Sequence, residues 1–136
     1  MSAHLYLSLE KSIAYLGDLQ SATGLLATLE TTLQNDIFQI EQAIHTHHFE
    51  LLQKIMHQLK GFAPIFCTDE LVNGIVQTEN LCKKTTAGLG QTTALAACSQ
   101  LLINLKGLQA EVSAHLQATS VSAPPIQPSP QGRSPT

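Results

Sequence analysis

Residues 53–64 read Gln-Lys-Ile-Met-His-Gln-Leu-Lys-Gly-Phe-Ala-Pro, and three of them stand at a spacing that suits chemistry. On a helix at about 100° per residue, Leu51, Leu52, Ile55, Leu59, Phe62 and Phe66 form a broad apolar face with His57 nearly opposite. Glu50, Gln53, Lys60, Gly61 and Pro64 share the histidine's face. A solvent-facing imidazole is a competent nucleophile near neutral pH. A phosphoryl group is its natural electrophile here, because Lys60, one turn on, offers a mobile positive charge to phosphoryl oxygens. Gly61 removes a side chain beside the ring, so the backbone of another protein can come close. The other parts of a phosphoryl-transfer enzyme are not legible: no Gly-rich phosphate loop, no Asp/Asn pair for magnesium and no second base set against His57. The expected site accepts and donates a group while a partner supplies the rest.

Two other groups of reactive side chains read as structural. His45, His47 and His48 fall in four residues, but no carboxylate or cysteine nearby completes a closed metal site, so Thr46 and its neighbours are read as a polar turn between helices. Cys67, Cys82 and Cys98 are odd in number and lack paired short spacing, which excludes a zinc or redox motif on sequence grounds. Their apolar surroundings make them small buried hydrophobes.

The elements that must hold His57 in place are helices. The chain has 21 Leu, four Phe, two Tyr and no Trp, and no sustained β-branched alternation. Apolar residues at 5, 9, 13 and 16 predict a short first helix over Leu5–Leu16, closed by Gly17-Asp18. Ala22, Leu25, Leu26, Leu29, Leu33, Ile37, Ile40 and Ile44 predict a long second one. The third carries His57 from Phe49 to Ala63 or Phe66, where Pro64 either kinks it or ends it. Thr68 is positioned to cap a fourth, with Asp69 and Glu70 in its first turn and Leu71, Ile75, Thr78 and Cys82 inward, flanked by Val72, Val76 and Leu81. Gly88 and Gly90 mark a connection, and a last helix starts near Thr92 with a stripe from Leu95 to Leu116. Residues 1–118 are read as one domain. Residues 119–136, rich in Pro and Ser, are read as a disordered tail or linker. The expected architecture is all-α: an antiparallel up-down four-helix bundle with a short additional N-terminal helix.

With 136 residues and 43% hydrophobic content, the chain can bury a core. A net charge of −3 without clustered Lys and Arg argues against nucleic-acid binding. No apolar run approaches the roughly 18 residues of a membrane span, and Met1–Lys11 lacks a signal-peptide pattern, so a soluble cytoplasmic protein is expected.

Met56-His57-Gln58-Leu59-Lys60-Gly61, with Phe49 and Leu52 upstream and Leu71 to Leu81 downstream, resembles the His-x-Leu-Lys-Gly core of histidine-containing phosphotransfer (HPt) domains of bacterial multistep phosphorelays. The similarity runs from about Leu9 to Val112 and includes Leu16-Gly17-Asp18. It implies that His57 takes a phosphoryl group from a receiver-domain phosphoaspartate and passes it to an aspartate on another receiver. Lys60 is then the phosphate-side cation and Gly61 the point of close approach. Magnesium would sit on the receiver, and this chain would need no cofactor. Pro64 departs from the family's usual small helix-compatible residue and Cys67 from its common glycine, which bears on the docking surface beyond Lys60. Docking is expected to use Glu50, Gln53, Gln58 and Pro64, with Met56 and Ile65 as apolar neighbours, in a small transient interface made by a monomer. A free-standing protein and the terminal module of a hybrid sensor kinase both fit.

Two other readings compete. A histidine-kinase dimerisation domain also displays a histidine upstream of a proline, but here the proline is seven residues on, and no ATP-binding domain follows. A structural adaptor would bind a partner helix in a groove and be indifferent to His57.

Overall fold

A computed structural model describes residues 5–85 and 90–122 of the chain. The protein is all-helical, with α1 at Leu9–Leu16, α2 at Leu19–His45, α3 at Phe49–Phe66, α4 at Asp69–Lys84 and α5 at Gln91–Ser122. Gly17 and Asp18 serve two helices at once. Gly17 closes α1 in the left-handed region at φ 99°, its N–H donating to the Ile13 carbonyl at 2.7 Å. Asp18 opens α2 by accepting from the Ser21 N–H at 2.7 Å, and those backbone and side-chain bonds from Ser21 hold its carboxyl below the usual carboxylate range.

α3 packs on α4, α4 on α5, α5 on α2 and α2 on α3, while α1 lies against α2 and α3. One core joins them. Its fully buried members include Leu26, Leu33 and Ile40 from α2, Leu52, Ile55, Met56 and Leu59 from α3, Ile75 from α4, and Leu101, Leu105 and Leu108 from α5. Each such side chain contributes about 1.5–3 kcal/mol of hydrophobic stabilisation. No helix among the described residues is long and apolar enough to cross a membrane.

Several boundaries differ from the sequence reading. Residues 5–8 are not the start of α1. Ser8 is its N-cap, and Leu7 forms an isolated antiparallel bridge with Cys67. This segment completes the end of α3. Ser8 N–H donates to the Phe66 carbonyl at 2.6 Å, Ser12 Oγ to that of Ile65 at 2.9 Å, and Lys11 Nζ to that of Cys67 at 2.9 Å. These carbonyls lie at the end of a helix, where no further turn supplies N–H donors. α3 nevertheless runs on through Pro64 to Phe66, so the proline, which has no N–H to give the Lys60 carbonyl, neither ends nor shortens the helix. Thr68 occupies the N-cap position of α4, but its hydroxyl donates to the Leu5 carbonyl at 3.2 Å instead of capping.

On its other side the N-terminal segment is clamped by one carboxylate. The backbone N–H groups of Leu5, Tyr6 and Leu7 all donate to Glu111 of α5, at 3.0, 3.1 and 2.9 Å. Tyr6 lies over Gly107, where an added Cβ would come within 2.4 Å of its ring, so α5 needs a bare backbone there. At the far end of α5, residues 119–122 continue the helix four residues into the expected tail, and 123–136 lie outside the described residues.

All three cysteines are buried and free. The Cys82 and Cys98 sulfurs nevertheless lie 3.5 Å apart, a pairing across α4 and α5 that their spacing in sequence did not suggest.

Replacing Glu111 by alanine leaves three amides of a partly covered segment without their acceptor. The variant is expected to lose about 1–3 kcal/mol in urea denaturation while keeping its helical circular dichroism. An unchanged urea midpoint would show that this clamp does not hold the segment.

Candidate functional site

His57 projects from the middle of α3 with its side chain 69% exposed. The helix presents it outward because Leu52, Ile55, Met56, Leu59 and Ala63 take the inward positions. Beside it, on α4, sits Glu79, whose side chain is only 1% exposed. The inward residues of α4 are Leu71, Ile75, Thr78, Glu79 and Cys82, so the carboxylate occupies a position four residues after Ile75 that would ordinarily be apolar.

A carboxylate so well covered must be compensated. His57 Nδ1 lies 2.9 Å from Glu79 Oε2, Lys60 Nζ 2.7 Å from Oε1, and Lys83 Nζ 3.8 Å from Oε2. The Lys60 contact is a charge pair rather than a well-aligned hydrogen bond, since Oε1 has no partner of good geometry. Lys60, then His57, then the charge of Lys83 hold the Glu79 carboxyl below its usual range, against the opposing effect of burial. An ionised carboxylate only accepts, so on a neutral imidazole Nδ1 carries the proton and the Nε2 lone pair is left for solvent. The expectation that no second base stands against His57 is thereby corrected. The partner is Glu79, on the helix packed against α3.

Near these residues a shallow polar depression is lined by Gln53, Lys54, His57, Gln58, Glu79 and Lys83. Three of these carry positive or protonatable groups against one carboxylate, so the depression favours an anion beside the exposed ring nitrogen. Gly61 lies one turn beyond His57, is exposed, and would meet no atom of the chain within 4 Å if it carried a Cβ. Intramolecular packing gives no reason for a glycine there, and the same is true of Gly24 in α2. What sets Gly61 apart is its place beside the imidazole.

The other expected contact residues divide. Glu50, Gln58 and Pro64 are exposed and Gln53 is half-buried on the His57 face. Met56 is fully buried and is not available to a partner. It lies four residues after Leu52 and three before Leu59, and because α4 covers that flank of α3 the apolar arc is wider than one helix suggests. Ile65 is half-buried and joins Phe62, Phe66, Leu25, Leu29, Thr28 and Thr32 in an apolar groove between α2 and α3. His45, His47 and His48 are all exposed where α2 turns into α3, with His47 in the left-handed region at φ 54°. Among the described residues no group of three or more His, Cys, Asp or Glu is placed to hold a metal ion.

Sequence reasoning missed Glu79 and Lys83. The available signal was the inward stripe of α4: Glu79 follows Ile75 by four and precedes Cys82 by three, and Lys83 follows Glu79 by four on the same face. The flanks expected to be apolar, Val72, Val76 and Leu81, are only half-buried.

The chain matches no family model, no curated protein and no solved structure.

The lowered Glu79 carboxyl ties stability to pH. Its stabilisation is present above the unfolded-state value of about 4.3 and is lost as pH falls through the lower folded value. The urea midpoint of the wild type is expected to fall more steeply below about pH 4.3 than that of Glu79→Gln. Nitrogen NMR should show the His57 proton on Nδ1 in the wild type, with a shift toward Nε2 in Glu79→Ala. A proton on Nε2 in the wild type would contradict this geometry.

Proposed function

We propose that the chain is a phosphorelay intermediate: His57 accepts a phosphoryl group from a receiver-domain aspartyl phosphate and passes it to an aspartate of a response regulator. The observation that carries the reading is the His57–Glu79 contact, which leaves the exposed imidazole with its Nε2 lone pair outward beside two lysines. In the forward step the Nε2 lone pair attacks phosphorus. A P–N bond forms as the P–O bond to the aspartyl carboxylate breaks, and the carboxylate leaves as the anion. The proton on Nδ1 stays in place, so the ring gains positive charge that the Glu79 carboxylate offsets. Lys60 and Lys83 lie close enough to turn toward phosphoryl oxygens, and their hold on Glu79 positions them meanwhile. Return transfer reverses each bond change. The chain itself supplies neither a nucleotide site nor magnesium in this scheme; the receiver brings the metal.

We further propose that α2 to α5 form an antiparallel up-down four-helix bundle, with α1 as an appendage. The closed circuit of neighbours from α2 through α3, α4 and α5 back to α2, and the three-residue turn between α2 and α3, support this arrangement. Docking would place a receiver over Glu50, Gln53, Gln58, Gly61 and Pro64, with the groove containing Phe62 and Ile65 at its edge, onto a monomer. That apolar groove is also what favours the second reading, an adaptor that binds a partner without phosphotransfer.

The deciding experiment is transfer of labelled phosphate from phosphorylated receiver domains. The wild type is expected to acquire an acid-labile, base-stable label that His57→Gln loses while remaining folded, and Lys60→Ala should acquire it more slowly. A folded wild type left unlabelled by a panel of receivers would favour the adaptor.

Gly61 gives a separate prediction. Gly61→Ala should stabilise the folded chain by about 0.5–1 kcal/mol, since it removes a helix-interior glycine without a clash. Gly61→Arg should block transfer by bulk. Full transfer by Gly61→Arg would refute the close-approach role.

A further inference from the structure

Away from the imidazole, two sulfurs lie in direct contact. Cys82 in the last full turn of α4 and Cys98 in α5 are both completely buried, and their Sγ atoms lie 3.5 Å apart. Two thiols from different helices in direct contact differ from an isolated core cysteine, because each is the other's potential bond partner. We propose that Cys82 and Cys98 form an oxidisable dithiol that closes to an intramolecular disulfide within the folded chain. A disulfide bond is about 2.05 Å long, so the sulfurs must approach by roughly 1.5 Å, a distance that modest side-chain and helix adjustments can share.

The two thiols are not equivalent. Contact with Cys98 holds the Cys82 thiol below the usual range against the effect of burial, while contact with Cys82 and burial raise Cys98. Cys82 lies two residues from the end of α4 and Cys98 well inside α5, so Cys82 is the sulfur an oxidant meets first and Cys98 the resolving one. With hydrogen peroxide as oxidant, the Cys82 thiolate attacks one oxygen and the O–O bond breaks. Cys82 becomes a sulfenic acid, and hydroxide leaves and takes up a proton to give water. Cys98 then loses its proton and attacks the Cys82 sulfur; the S–S bond forms, the S–O bond breaks, and the departing hydroxide becomes a second water. Two thiols have given up two electrons and two protons, and one peroxide has become two waters. Peroxide reaches the pair through local opening of the helix end beyond Cys82.

Cys67 is the internal comparison. It is buried at the junction of α3 and α4, paired through backbone to Leu7, and burial pushes its thiol up to about 12. It is expected to stay reduced. The crosslink ties α4 to α5 one turn beyond Glu79 and constrains the unfolded chain, so the oxidised protein should be the more stable form.

The proposal is independent of phosphotransfer at His57, and the experiment keeps the two apart. The reduced, folded wild type and His57→Gln are treated with hydrogen peroxide, quenched, alkylated in denaturant and mapped by peptide mass. Expected in both is a monomer with one bond joining Cys82 to Cys98, an alkylated Cys67, and a melting temperature above that of the reduced form. Cys98→Ala should give no internal disulfide and a Cys82 sulfenic acid that dimedone traps. Three alkylated thiols after peroxide treatment, a bond that forms only in urea, or a bond between chains would each overturn it.

Discussion

A carboxylate removed from water must be paired, and in this protein that constraint joins the His57 face to the fold. Glu79 stands where α4 turns inward against α3, and its charge is compensated by His57 and Lys60 from α3 and by Lys83 from its own helix. Truncating one member of such a set leaves the covered carboxylate with less compensation, which the remaining partly exposed partners and solvent make up only in part. The same contacts that make the position tolerable also orient the imidazole and gather two ammonium groups beside it. Under the phosphotransfer reading, the carboxylate that needs compensation at rest becomes the compensation when the ring acquires positive charge.

The N-terminal segment shows a related economy with hydrogen bonds. α3 must stay helical past Gly61 to display its face, yet Pro64 removes one donor from its last turns. Beyond the proline, Ser12, Ser8 and Lys11 supply donors to the terminal carbonyls of Ile65, Phe66 and Cys67, and Glu111 anchors the segment to α5 through three backbone amides. α1 and the residues before it therefore close the end of the helix that carries His57.

The groove between α2 and α3 and the polar depression at His57 lie along one helix, reached from residues such as Phe62 and Gln58 respectively. A partner spanning both would find an apolar patch beside a charged one, the composition expected of a transient interface with a specific orientation. Gly61 lies bare and exposed on the same helix.

By itself the sequence determined the five helices to within a few residues at their ends and, along α3, the outward face that carries His57. Both follow from a local period of 3.6 residues and from caps such as Gly17-Asp18 that act within one turn. The outward placement of His57, Lys60 and Gly61, and the burial of Leu52, Ile55 and Leu59, were legible for that reason. Only the tertiary structure decided that Glu79 meets His57, that Met56 is covered, that Thr68 bonds Leu5 rather than its own helix, and that Cys82 touches Cys98. Each of these depends on the rotation and register of one helix, or of the N-terminal segment, against another. Periodicity gives the direction of a side chain about its own axis; what it meets there is set by a partner many residues away, and no local spacing encodes it.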